Sequence, residues 1–78
     1  MRWLADVRRV MSTVMMAAPE DIGPDTVPND VPGWDSVTHL TLIVALEEAL
    51  AVRFSASDIE RMTSVAAICS IVADRRGG

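Results

Sequence analysis

All four prolines of the chain, at positions 19, 24, 28 and 32, fall within one short stretch, and Gly23 and Gly33 fall there too. Proline removes an amide donor and clashes with the preceding helical turn, so neither a helix nor a central strand can run through residues 19–33. The two remaining glycines close the chain. What lies on either side of the break is therefore free to be regular, and it contains no period-two alternation of useful length. The expected fold is all-α, a four-helix bundle of three longer helices and one short one, with a long loop between helices I and II. Its 78 residues allow a single domain.

In the first segment Trp3, Val7, Val10 and Val14 keep helical spacing, with Leu4, Met11 and Met15 beside them, so one broad apolar face predicts helix I over about residues 2–16. The loop over 17–35 is long for so small a domain, but Ile22, Val27, Val31 and Trp34 recur in it and are expected to pin it to the core as an ordered crossover. Helix II, over 36–50, opens on Asp35 and Ser36, both good N-terminal residues. Ser55 followed by Asp58 makes a capping arrangement for a short helix III at 56–61, with Ile59 and Met62 turned inward. Ser64 caps helix IV at 65–74, in which Val65, Ile68, Cys69 and Val72 form the apolar stripe, and the tail 75–78 is expected to fray.

Helix II carries two apolar stripes. At about 100° per residue, Leu42, Ile43, Leu46 and Leu50 share one, while Val37, Leu40, Thr41, Val44, Glu47 and Glu48 gather nearly opposite. A helix of so small a domain cannot bury both, so the second stripe, apolar with an acidic edge, is the candidate docking surface. His39 projects on the core stripe, as a packed or pocket-mouth side chain rather than a catalyst. Cys69 reads as a buried core thiol.

The net charge of −4 is unevenly spread. Residues 17–52 hold Glu20, Asp21, Asp25, Asp30, Asp35, Glu47 and Glu48 with no Lys or Arg, while the arginines sit toward both ends. Such a surface repels nucleic acid and steers toward basic protein patches. A lone Cys69 permits no internal disulfide, and no His/Cys group offers a metal site. Charges at Asp6, Arg8 and Arg9 interrupt any apolar run at the start, which argues against a signal peptide or membrane span and leads us to expect a cytoplasmic monomer.

Gly33-Trp34-Asp35-Ser36-Val37 resembles the attachment motif of acyl carrier proteins, an Asp-Ser-Leu with Val37 in the Leu position, placed at the start of the second helix after a Pro-rich loop. The Leu46-Glu47-Glu48 run, the Val52-Arg53-Phe54 exit and Thr63-Ser64-Val65 at the last helix extend the similarity along essentially the whole chain. The resemblance implies that Ser36 is esterified by the 4′-phosphopantetheine of coenzyme A, whose thiol carries acyl groups as thioesters, and that Asp35 helps present Ser36 to a phosphopantetheinyl transferase and its metal ion. It also implies that partner enzymes read helix II, with Glu47 and Glu48 as acidic contacts and Val37 and Val44 as apolar ones. Leu40 of the same stripe joins this expected docking set, and the charge pattern suits partners with basic patches, such as acyltransferases, ketosynthases or acyl-activating enzymes of fatty-acid, polyketide or related biosynthesis. The chain departs from the acidic fatty-acid type, because Thr38 and Thr41 stand where acids are common there. On this reading it is a carrier and catalyses nothing.

Read on their own, the residues leave blander alternatives. Ser36 in isolation is a helix cap, Asp35 a favourable charge near the helix dipole, and Glu47 and Glu48 a solvated face. A helical adaptor without any prosthetic group would share the fold and the docking stripe and differ only at Ser36. The terminal Arg75-Arg76-Gly77-Gly78 suggests a ubiquitin-like modifier, but those need a β-sheet for which there is no pattern.

Overall fold

A computed structural model describes residues 2–31 and 33–76. The fold is all-α: helices α1 (Leu4–Met15), α2 (Ser36–Leu50), α3 (Ala56–Glu60) and α4 (Val65–Arg76), with two single 3-10 turns at Pro19–Asp21 and Pro28–Asp30 and no strand among the described residues. Helix α1 packs its Val7, Val10 and Met11 face against α2 and α4, and the core closes with Leu42, Ile43 and Leu46 of α2 and Val65, Ile68, Cys69 and Val72 of α4. Each 3-10 turn starts on a proline, whose missing amide costs nothing at the first helical position.

The crossover between α1 and α2 is ordered by burial and by hydrogen bonds. Ile22, Val31 and Trp34 are buried in the core, and the buried Thr26 takes the Gly23 amide on its hydroxyl at 2.8 Å. Arg8 of α1 donates from Nε and Nη2 to the Pro19 carbonyl at 3.1 and 2.9 Å, tying the loop's first turn back to the helix it has just left. At the far side, the amides of Val65 and Ala66 donate to the carbonyls of Thr26 and Pro24 at 2.9 and 3.0 Å. Those are first-turn donors with no intrahelical partner, so the crossover caps α4 jointly with Ser64, whose hydroxyl accepts from the Ala67 amide.

The ends of α1 and α2 turn through left-handed residues, Met16 at φ 54° and Ala51 at φ 52°, which stop each helix by redirecting the chain. Gly33, at φ 89°, supplies the same reversal just ahead of α2; a Cβ there would meet no neighbour, so the conformation itself is what requires glycine.

The C-terminal end differs from expectation. Arg75 and Arg76 do not fray but belong to α4, whereas Gly77 and Gly78 lie outside the described residues. The reason is Asp58. It closes a reciprocal capping box with Ser55 at the start of α3, and its fully buried carboxylate also accepts from Arg75 Nε and Nη2 and from Arg61 Nη2, each at 2.7 Å. A two-pronged guanidinium contact of this kind is strong and directional, and it fastens the last turn of α4 to α3.

The Arg75 contact, then the Ser55 amide and the second guanidinium, hold the Asp58 carboxyl well below the ordinary value of 3.8. A depressed carboxylate stabilises the fold fully above the unfolded-state pKa and loses that contribution as pH falls toward its folded value. Asp58→Asn is expected to lower the thermal midpoint at neutral pH by several degrees and to reduce the loss of stability seen below about pH 5, as read by circular dichroism melts across pH.

Candidate functional site

Helix α2 begins where the loop ends, and Asp35 is the hinge between them. In extended conformation at the N-cap, it accepts the Thr38 amide on Oδ1 at 2.9 Å and the His39 amide on its own carbonyl at 2.8 Å. Bonds from Thr38, backbone first and then hydroxyl, hold the Asp35 carboxyl below its usual value, so it stays ionised at neutral pH. Ser36, the first helical residue, is exposed. An exposed hydroxyl at a helix start is reachable by another protein, and the positive end of the helix dipole favours an anionic group attached there.

Beside Ser36 opens a cleft of about 690 Å³. Trp34, His39 and Leu40 line it on the α2 side, Ile59 and Met62 on the α3 side, and the second 3-10 turn contributes Pro28. The buried Trp34 donates its indole N–H to His39 Nδ1 at 3.0 Å, and the two rings lie edge to edge with centroids 6.1 Å apart and 22° between planes. His39 is thus a half-buried residue at the cleft, bonded to an aromatic side chain of the crossover. No side chain is hydrogen-bonded to the Ser36 hydroxyl among the described residues.

The two stripes of α2 separate as their spacing predicts. Leu42, Ile43, Leu46 and Leu50 are buried, whereas Val37, Leu40 and Val44 are 73%, 59% and 54% exposed. Together they leave an apolar strip open to solvent along one face of the helix. Glu48 is exposed at its edge. Glu47 is half-buried and turned to another use: its Oε2 accepts the Phe54 amide at 3.0 Å, holding the turn between α2 and α3.

Three features of this neighbourhood have no local sequence signal: the indole partner of His39, the contribution of Ile59 and Met62 to the same cleft as Ser36, and the structural bond of Glu47. Each joins residues from different segments. Only the recurrence of apolar residues in the loop, which placed Trp34 against the core, hinted at the first.

The phosphopantetheine attachment site family matches residues 5–72. The solution structure of a holo acyl carrier protein from Geobacter metallireducens superposes with a TM-score of 0.89 at 23% identity, covering 99% of this chain and 88% of that one. No match is found among curated proteins. Among the described residues no helix is long and apolar enough to cross a membrane, and no group of His, Cys, Asp or Glu side chains could hold a metal ion.

The bond from Glu47 separates the two neighbouring glutamates. Glu47→Ala is expected to cost about 1 kcal/mol of stability by freeing the Phe54 amide, while Glu48→Ala should change it by less than about 0.5 kcal/mol. Chemical denaturation of the two variants checks this.

Proposed function

Because the chain belongs to the phosphopantetheine attachment site family, we propose that it is an acyl carrier protein whose 4′-phosphopantetheine arm is esterified to Ser36. The observation that carries this reading is the exposed Ser36 hydroxyl at the first position of α2, beside an ionised Asp35 and at the rim of a cleft. These residues suit the group. A phosphodiester on Ser36 gains from the helix dipole, and the arm supplies a thiol that holds acyl chains as thioesters. The domain contributes no catalysis; a transferase delivers the arm with its own metal ion.

Asp35 serves two ends on this account. It caps α2, and its carboxylate stands next to the hydroxyl that the transferase must reach, where it can approach the transferase's metal ion. Asp35→Ser keeps a good N-cap but removes the charge. The carboxylate's part in loading is supported if Asp35→Ser slows arm transfer severalfold with its thermal midpoint near wild type.

Partner enzymes are read through Val37, Leu40 and Val44, with Glu48 as the acidic contact and Glu47 available only in part, since it is engaged with Phe54. With Thr38 and Thr41 on the face, few acids flank the apolar stripe. A carrier dedicated to a polyketide or other specialised pathway suits this face at least as well as general fatty-acid synthesis. Tethering presents the cargo to each partner at high effective concentration.

Incubation with coenzyme A, magnesium and a broad-specificity phosphopantetheinyl transferase is expected to add one phosphopantetheinyl group to the wild type and none to Ser36→Ala, by intact mass. Absence of any gain in the folded protein with several transferases would favour an adaptor without a prosthetic group. Val44→Arg with Glu48→Arg should lower kcat/KM for transfer to a partner enzyme at least severalfold while leaving the helical spectrum intact.

A further inference from the structure

The pairing of Trp34 with His39 has a chemical consequence. Indole N–H is a donor only, so the ring nitrogen facing it, His39 Nδ1, carries no proton, and the ring proton sits on Nε2. Trp34 is buried, and leaving its N–H unsatisfied would be costly, so the bond also fixes the orientation of the imidazole. Nε2 makes no hydrogen bond among the described residues, and His39 is only half-buried where it lines the cleft. His39 is therefore an oriented, uncommitted donor at the cleft that opens beside Ser36.

Its position relative to Ser36 follows from the helix. Residues three apart on a helix are neighbours, with about 5–6 Å between their Cβ atoms, and helical side chains lean toward the N-terminus, which turns His39 back toward Ser36. Asp35 and Glu60, which also line the cleft, are acceptors when ionised and offer nothing to an oxygen. Apart from the Trp34 indole, committed to His39, and Ser36 itself, the other side-chain donors of the lining are Asn29 and Thr63, which lie outside α2.

The geometry points to His39, oriented by Trp34, as a binding residue that donates from Nε2 to a phosphoryl or carbonyl oxygen of the group tethered at Ser36, holding that group over the cleft instead of free in solvent. This deepens the carrier reading and rests on it. The acceptor chemistry is shared by the arm, through its phosphodiester and amide carbonyls, and by the cargo, through its thioester carbonyl. Trp34 acts as a positioning residue.

The test uses protein with ¹⁵N-labelled histidine in three forms, each verified by intact mass: unmodified, carrying the arm, and carrying the arm with a butyryl thioester. A change in the His39 Nε2 resonance on adding the arm is expected if the arm supplies the oxygen, and a change only on butyrylation if the thioester does. In the modified form His39→Phe should move the arm's amide resonances toward those of free pantetheine. His39→Gln, which can accept from Trp34 and still donate, should keep them near wild type, and Trp34→Phe should fall between. Identical Nε2 resonances in all three forms, or arm resonances unmoved by both His39→Phe and Trp34→Phe, would overturn the assignment. Failure to gain the arm at all is a separate result, read by mass before any resonance, and would refute the carrier reading with it.

Discussion

Burial of Trp34 at the end of the crossover determines where α2 begins, and thereby where the Ser36 hydroxyl points. The indole is sunk against the core two residues before Ser36, Gly33 turns the chain just ahead of it, and Asp35 catches the first amides of the helix just after. A loop this rich in proline forms only two single 3-10 turns, and carbonyls left over find partners elsewhere: in Arg8 of α1 and in the first-turn amides of α4. The crossover is thus tied to the helix before it and to the last helix of the bundle. A rigid platform at the head of α2 is what a carrier needs, because the group it holds must be presented in one place to several enzymes.

Helix α2 divides its labour by face. One stripe supplies core residues, the opposite stripe leaves Val37, Leu40 and Val44 exposed, and the first turn leaves Ser36 exposed. So short a helix leaves little room for residues with one purpose. Glu47 holds the following turn while lying beside the exposed apolar stripe, and His39 joins the crossover to the cleft. In α3 the buried Asp58 gathers Arg61 and Arg75, so that this short helix is held at its own cap and by the last helix together. Five residues would not form a stable helix alone; tertiary contacts supply what propensity cannot.

Much of this was legible in the sequence because it depends on local chemistry. The clustered prolines marked the crossover, helical spacing separated the two stripes of α2, and the Ser55 to Asp58 spacing announced the capping box. What the sequence withheld was long-range choice. Nothing in the spacing says which arginine reaches Asp58, and so the last turn of α4 was expected to fray when Arg75 in fact anchors it from 17 residues away. The indole bond to His39 was hidden for a similar reason: helical projection placed the imidazole toward the core, but its partner comes from the loop. Glu47 looked like its neighbour Glu48 until the return of the chain brought the Phe54 amide to it.

The account stands on one covalent bond, and peptide mapping of the modified protein tests it most directly. No Lys or Arg lies between Arg9 and Arg53, so trypsin releases residues 10–53 as one peptide, whose only serines are Ser12 and Ser36. The account predicts that tandem mass spectrometry of this peptide, from protein treated with a phosphopantetheinyl transferase, places the added group on Ser36 alone and shows loss of the pantetheine fragment. An unmodified Ser36, or the group on another residue, would contradict it.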